Sequence, residues 1–517
     1  MNYFKYTNSN KRYYTLDYFY KNKFGSKVFK VSLNGGFSCP NKDGKVGFGG
    51  CIYCSKLGSG EFAGDKEKDL EVQFEEVKKV LDKKWPNSKY IAYFQANTNT
   101  YASVEELKEK YEKVLKIDNV IGLSISTRPD SISDECLDYL EELSNRTYLT
   151  VELGLQTIHE KTSKLINRCH SLECFLECVK RLREKNINVV VHIINGLPYE
   201  TKDMMVNTVK YLNKLDIQGI KIHMLHIVKD TKLALMYKEK PFKILTKEEY
   251  VDIVCTQLEN LKENIVIHRI TGDPKVDDLI EPAWVIKKFS VLNDIDKELE
   301  KRDTYQGFNK TILNYVKREI DKVVKYNDKV VDATIGNGHD TLNLCEKVYK
   351  GHVFGFDIQD EALDNTRQIL QKFNNYTLYK KSHEYIYDTL KEYDSKISLV
   401  IFNLGYLPGG DKSITTSVKS TIKGIDGSIK LLNNKGKLLV VIYPGHEEGK
   451  LEEEAILDYI NKNKSINYKI YRNTDNKIAP YLVVIERKKD PKLKFQFRKK
   501  ILANLFLIYL KTLLPSR

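Results

Sequence analysis

Along the first 290 residues, short apolar runs rich in Val and Ile alternate with longer, charged, helix-like stretches. That alternation predicts repeated βα units and a parallel sheet, because a strand covered on both faces reads as a continuous apolar run. Strands are expected at 28–33, 90–95, 120–126, 148–155, 188–194 and 219–226. The pattern restarts near residue 329, where Lys329 to Val331 opens a strand and a glycine turn follows. A helix is expected from His339 or Asp340, then a strand ending in Asp357, another ending near Ser382, and a third over Ile397 to Phe402. At 517 residues the chain has room for two or more domains, each with its own core.

Directly after the first expected strand lies C-P-N-K-D-G-K-V-G-F-G-G-C-I-Y-C, which holds Cys39, Cys51 and Cys54. Gly44, Gly47, Gly49 and Gly50 let this loop take positive φ and fold around a bulky inorganic core. Three thiolates can ligate three irons of a [4Fe-4S] cluster and leave the fourth iron open to a small molecule. On spacing alone a zinc site stays open, with Cys51 and Cys54 as a C-x2-C knuckle and Cys39 plus a histidine completing a tetrahedron. The C-P-N-x-D-G and G-G-C-x-x-C pieces resemble the radical S-adenosylmethionine (radical SAM) enzymes. The similar branch has a widened first spacing and includes bacterial YhcC-like proteins and, more distantly, the Elongator catalytic subunit. Eleven residues separate Cys39 from Cys51, a departure from the commoner C-x3-C-x2-C pattern. Between His268 and Gly307, H-R-I-T-G-D-P, W-V-I-K-K and K-E-L-E-K-R-D-T-Y-Q-G resemble the C-terminal end of the same branch, which sets a domain boundary near 305.

The resemblance implies a partial (β/α)6 barrel, a [4Fe-4S] cluster on Cys39, Cys51 and Cys54, bound S-adenosylmethionine, and a reductant such as flavodoxin or ferredoxin. One electron would cleave the sulfonium to a 5′-deoxyadenosyl radical that abstracts an unactivated hydrogen, while the protein orients the substrate and excludes water. Ligands in such a barrel sit at the C-terminal strand ends. Here those ends are polar: Gln95, Asn97, Thr98 and Asn99, then Ser126 to Asp130, then Glu152 and Gln156, then Asn195. Glu152 and Gln156 are the candidate cofactor contacts. Glu152 can accept from the methionine amino group or the ribose, or can form a structural salt bridge. Arg128 can hold a carboxylate or phosphate with two bonds or pair with Asp130. His192, His223 and His226, on apolar strands, read as hydrogen-bonded core histidines. Cys169, Cys174 and Cys178 read as small buried hydrophobes rather than a second cluster.

In the second half, Asp332 and D-A-T-I-G-N-G-H-D-T, with Gly336, Asn337 and Gly338, make the strand, turn and helix of a nucleotide-binding βαβ unit. Asp357, followed by Ile358 and Gln359, is placed to hold ribose hydroxyls. The turn lacks the full G-x-G-x-x-G spacing and follows an Asp, which favours S-adenosylmethionine over NAD. After Phe402 comes N-L-G-Y-L-P-G-G-D-K, where amino-methylating Rossmann enzymes carry an N-P-P-Y type loop. The Asn403 side-chain oxygen can orient a neutral amine and Tyr406 can pack on a flat ring, so catalysis would be mostly positioning. A loop that merely covers the cofactor is the alternative. Ser382 and His383 are candidate adenine contacts, and His446 in Y-P-G-H faces the same pocket. Residues 309–487 as a whole resemble the YtqB-like methyltransferases, once labelled rRNA methylases. D-A-T-x-G-N-G-H-D-T, F-D-I-Q, S-H-E, F-N-L-G-Y-L-P-G-G-D-K and V-I-Y-x-G-H carry that resemblance. It implies a Rossmann-like class I enzyme that N-methylates 5-aminomethyluridine at the tRNA wobble position.

Together the resemblances imply an α/β chain with a radical SAM domain at 1–305, a methyltransferase at 309–487 and a tail at 488–517. The first half would convert 5-carboxymethylaminomethyl(-2-thio)uridine to the aminomethyl form, and the second would methylate it in the tRNA anticodon loop. Another RNA nucleoside or a small amine metabolite is the alternative substrate, and a nonenzymatic zinc-bearing RNA-binding protein is the rival of a different class. The net charge of +14 is weak evidence for RNA, because ten Lys or Arg against one Asp crowd into residues 487–517. The apolar run in that tail is too short to span a bilayer and can lie on a membrane surface, on RNA or on the protein itself. Tyr13, Tyr14, Tyr18 and Tyr20, interleaved with basic residues, can stack bases or pack as an entry segment. Nine cysteines and a polar start favour a reducing cytoplasm.

Overall fold

The computed structural model describes residues 4–58, 60–404, 417–473 and 476–488. The chain divides between Asn309 and Lys310 into two compact units. In the first, the strands are β1 (Val28–Leu33), β2 (Lys89–Phe94), β3 (Val120–Thr127), β4 (Tyr148–Gln156), β5 (Asn188–Asn195), β6 (Gly219–Met224), β7 (Ile227–Val228), β8 (Val266–Arg269) and β9 (Leu279–Glu281). β1 to β6 and then β8 lie side by side in chain order, each neighbouring pair parallel. β7 and β9 form a separate antiparallel pair. The six strands expected from the apolar runs are present, and the sheet gains a seventh, the four-residue β8, which the pattern did not reveal.

A flat sheet of seven strands would set its outer strands about 29 Å apart. Instead Lys30 Nζ on β1 lies 3.4 Å from His268 Nδ1 on β8. The sheet therefore curls until side chains from its two edges meet inside. Helices cover its outer face, started by Ser103, Ser133, Ser171 and Thr201, whose side chains accept a backbone N–H from the first turn. Val31, Phe94, Ile125, Val151, Val191 and Ile222 belong to the core between sheet and helices. The tyrosine-rich entry segment packs on its own domain. Tyr13 and Tyr20 are buried, Tyr6 stacks on Tyr14 at 4.5 Å, and Lys11 pairs with Asp296.

The second unit contains β10 (Lys329–Asp332), β11 (His352–Asp357), β12 (Tyr376–Lys380), β13 (Ile397–Asn403), β14 (Leu432–Ile442), β15 (Ile466–Tyr471) and β16 (Tyr481–Arg487). Their order is β12-β11-β10-β13-β14-β16-β15, parallel except where β16 meets β14 and β15. The order reverses between β10 and β13, so a crevice opens at the C-terminal ends of those strands, the usual ligand position in such sheets. A helix at His339–Lys347 follows the glycine turn. Among the described residues no helix is long and apolar enough to cross a membrane. Tyr406 and tail residues 489–517 lie outside the described residues.

Candidate active sites

The cysteine loop begins beyond β1 and is shaped by its own backbone. The Cys39 carbonyl accepts from the Lys42 and Asp43 amides at 2.7 and 3.2 Å, and Asp43 bridges to Phe48 as a minimal antiparallel pair. Gly49 and Gly50 follow at φ +73° and +75°, values that side-chain-bearing residues rarely take. Wholly buried Asn41 donates to the Asn167 carbonyl at 2.7 Å, and Asn167 donates to the Gly50 carbonyl at 2.8 Å. These bonds pin the loop to the segment after β4. Cys39, Cys51 and Cys54 all line one cavity of about 420 Å³ at the C-terminal strand ends. A hydrogen bond from Cys54 holds the Cys51 thiol down to about 6, aided by Tyr53, Arg128 and Asn41, and the same bond pushes Cys54 up.

The residues fit a cluster held iron by iron, since three thiols face one cavity from a loop freed by glycines and one of them is already biased to the thiolate. Of the other cysteines in this region, Cys178 is buried and its thiol is pushed up to about 12 by burial, Cys174 is half-buried and Cys169 is exposed.

Gln156 lines the same cavity at φ +62°, and its Oε1 is buried without a hydrogen-bond partner. Glu152 differs from the expectation of a direct ligand contact. It is fully buried, does not line the cavity, and accepts from Lys30 at 2.6 Å, Ser124 at 2.7 Å, His192 at 2.7 Å and Lys221. Burial alone would push its carboxyl up, but Lys221 and Lys30 hold it well below the usual range. Arg128 is taken by Asp130 through two bonds, at 2.9 and 2.6 Å. His192 is hydrogen-bonded as expected of a core histidine. His223 and His226 are not: both line the cavity, and each has an Nε2 without a partner.

In the second unit, a cavity of about 720 Å³ opens over β10, β11 and β13 and is lined by Gly336, Asn337, Ile358, Gln359, Ser382, His383, Asn403 and His446. Asp357 stands at the end of β11, one oxygen accepting from the Gly336 amide and the other from the Gln359 amide, both at 3.0 Å. Its remaining lone pairs can take two hydroxyls. Gly338 starts the helix at φ +76°, where a Cβ would meet Thr366 Oγ1 at 2.5 Å. His383 is buried against the edge of Phe402, and its Nε2 lacks a partner. Asp332 lies one layer below and is absent from the lining. It accepts from Thr341 Oγ1 at 2.6 Å and from the Thr334 amide at 3.2 Å, and burial with Asp340 nearby pushes its carboxyl up to about 7.

Asn403, the last residue of β13, is held at three points. Its amide donates to Thr334 Oγ1 at 2.7 Å, its Nδ2 to Asp340 Oδ2 at 3.4 Å, and its Oδ1 accepts from the Tyr443 hydroxyl at 2.9 Å. Tyr443 and Asp340 were not singled out from the sequence; Asp340 lies within the glycine-turn motif itself, whereas Tyr443 is brought close only by the pairing of β13 with β14. An open crevice with a glycine turn, an acid at the second strand end and a buried histidine with an open ring nitrogen fits a nucleoside-bearing cofactor.

Comparison with known proteins finds matches in both units of the chain. Family models described as Radical SAM superfamily, Radical_SAM C-terminal domain and Putative rRNA methylase match residues 44–212, 217–301 and 353–486. The protein YtqA of Bacillus subtilis is 53% identical over 304 residues, covering 59% of this chain and 94% of that protein. YhcC of Escherichia coli is 32% identical over 280 residues, covering 54% of this chain and 89% of that protein. The chloroplastic tRNA (mnm(5)s(2)U34)-methyltransferase of Arabidopsis thaliana is 32% identical over 148 residues, covering 26% of this chain and 54% of that protein. The chain thus belongs, through its first unit, to the radical SAM family of YtqA and YhcC, and continues into a methyltransferase domain of the rRNA methylase family.

Proposed function

We propose that the chain is a bifunctional enzyme of the tRNA wobble uridine. The first unit converts 5-carboxymethylaminomethyl(-2-thio)uridine to the 5-aminomethyl form, and the second N-methylates that amine to 5-methylaminomethyl(-2-thio)uridine. The observation that carries this reading is Asn403, fixed at the mouth of the second cavity with a carboxylate beside it. An amide oxygen and a neighbouring acid suit an amine acceptor, which must lose a proton before its lone pair can attack a methyl group. The printed name of the Arabidopsis relative points to the same base.

Cys39, Cys51 and Cys54 would hold a [4Fe-4S] cluster, with Gln156 among the residues that face its ligand. Cluster and S-adenosylmethionine, when bound, supply one-electron cleavage and hydrogen abstraction, with electrons from a reductant such as flavodoxin or ferredoxin. The protein's part is to shape the cavity and keep it dry. In the second unit Asp357, Gln359, Ser382 and His383 would hold S-adenosylmethionine, and Asp332 would brace Thr334 behind Asn403. The target base must leave the anticodon-loop stack to enter either cavity, a modest cost in a single-stranded loop. Two consecutive active sites on one chain raise the local concentration of the intermediate for the second step. The cytoplasm is where this substrate would be met.

Nucleoside mass spectrometry of tRNA from cells lacking the protein tests the reading. Complementation with Cys54→Ala is expected to accumulate the carboxymethylaminomethyl nucleoside, and Asn403→Ala the aminomethyl nucleoside. Profiles matching the wild type in both strains would exclude this tRNA as the substrate.

A further inference from the structure

Inside the curled sheet two ammonium groups converge on one carboxylate. Lys30 and Lys221 both donate to Glu152, from β1 and β6. Around them Ser124 and Tyr93 are hydroxyls, burial holds His192, His223 and His268 below their ordinary range, and Arg269 adds a further positive charge. Asp273, an acid of the cavity lining, answers Lys288 at 2.7 Å and Arg269 at 3.7 Å. Burial lowers Lys221 to about 7 although Glu152 raises it, with Lys30 and Arg269 adding to the fall; two lysines thus share one carboxylate, and an incoming anion would favour the charged form of Lys221.

The arrangement has a direction. Of the two lysines, Lys221 lines the cavity and Lys30 does not. Its Nζ uses one donor on Glu152 and one on the Tyr93 hydroxyl, 2.9 Å away, and an ammonium carries three. His223 and His226, whose Nε2 atoms lack partners, line the same wall. A lysine with a donor to spare beside open imidazoles is a receptor for a small anion, and a carboxylate is the anion the proposed base carries.

We propose that Lys221 is the carboxylate anchor of the first cavity and receives the carboxymethyl group of the target base. The assignment rests on the proposed function, and the carboxylate of S-adenosylmethionine is the other source of the same chemistry. Glu152 and Lys30 then act as positioning residues that fix Lys221 in place. The anchor explains selectivity, because the aminomethyl product lacks the carboxylate and loses its hold.

The test uses the full chain as wild type, Lys221→Met and Lys221→Arg, each checked by thermal melting. Reconstituted enzyme is given tRNA bearing the carboxymethylaminomethyl base or its neutral carboxamide analogue. Wild type should prefer the carboxylate by about tenfold or more in kcat/KM, the range expected for a hydrogen bond to a charged group. Lys221→Met should lose that preference, mostly through KM, and Lys221→Arg should keep part of it. The KM for S-adenosylmethionine is read from 5′-deoxyadenosine formation without tRNA. A raised KM for S-adenosylmethionine in that assay would assign the carboxylate to the cofactor and overturn the proposal. So would a preference that survives in Lys221→Met. Calorimetric titration with N-methylglycine reads the site without cluster or tRNA, with heat expected from wild type and none from Lys221→Met. If neither tRNA is turned over but this difference persists, the tRNA reading fails while the carboxylate site stands; equal titrations overturn the site itself.

Discussion

Tyr443 donates its hydroxyl to Asn403 Oδ1 at 2.9 Å, across the seam where β13 and β14 run parallel. The bond leaves Asn403 with one oriented lone pair for a ligand instead of a freely turning amide. Tyr443→Phe keeps the ring and removes that constraint. Methyl transfer should fall about tenfold to a hundredfold in kcat, with the KM for S-adenosylmethionine within about twofold, because orientation acts on the reacting amine and not on the cofactor. Single-turnover methylation of an aminomethyl-bearing tRNA measures both. An unchanged kcat would remove Asn403 orientation from the mechanism.

Gln156 adopts φ +62° at the end of β4 while its Oε1 stays buried and unpartnered. Both features cost free energy, and a site facing a ligand is where such costs persist. Gln156→Gly should relieve the backbone strain and raise the melting temperature of the first unit by one or two degrees, since about 1 kcal/mol corresponds to roughly 1.5 °C in a unit of this size. The same variant should lose most 5′-deoxyadenosine formation. Stability and activity moving in opposite directions separates a ligand contact from a merely tolerated conformation; a variant less stable and fully active would reverse the argument.

What the sequence disclosed follows from which contacts are local. Strands β1 to β6 were legible because Val- and Ile-rich runs leave a signal within six to nine residues, whereas β8 is only four residues long. The cysteine loop and the turn at Gly336 to Gly338 were legible because backbone conformation is written in neighbouring glycines. Tyr443 was not, since its partner is forty positions away and the meeting depends on strand order. Lys30 and Lys221 left a clue that went unused: V-F-K-V-S-L and G-I-K-I-H-M each put a lysine in the middle of an apolar strand. An inward-facing charge there needs a partner, and Glu152 on V-E-L-G-L-Q offered the matching sign.

Glu152→Gln removes the one carboxylate that serves Lys30 and Lys221 while preserving shape. Deleting one member of a buried ion cluster strands the others, which costs about 3–5 kcal/mol. The first unit should therefore unfold at markedly lower denaturant, read by the transition of its own fluorescence. Combining Glu152→Gln with Lys221→Met should recover part of the loss, because the two changes share a partner and cannot be additive. Additive losses would mean that the ammonium and the carboxylate are stabilised separately.

In the second unit Glu319 offers a pH test with a definite sign. It is 1% exposed and accepts from Lys437 at 2.6 Å, Lys322 at 2.9 Å and the Tyr471 hydroxyl at 3.1 Å. Burial pushes its carboxyl up, but the two lysines win and hold it down to about 2. A carboxyl whose folded value is depressed contributes stability that is complete above its unfolded value and disappears as pH falls through the folded one. The difference amounts to about 3 kcal/mol, constant above about pH 5 and lost between there and about pH 2. Urea unfolding of the wild type across that window should show the decline in the transition of the second unit. Glu319→Gln should be less stable at neutral pH, for it removes the buried carboxylate that Lys322 and Lys437 share and leaves Lys437 with the more exposed Glu486 at 3.2 Å, and its stability should vary less with acid. The two curves should approach each other near pH 2, where the wild-type carboxyl is itself protonated; curves that stay parallel over the whole range would mean that the ion pairs contribute nothing to this fold.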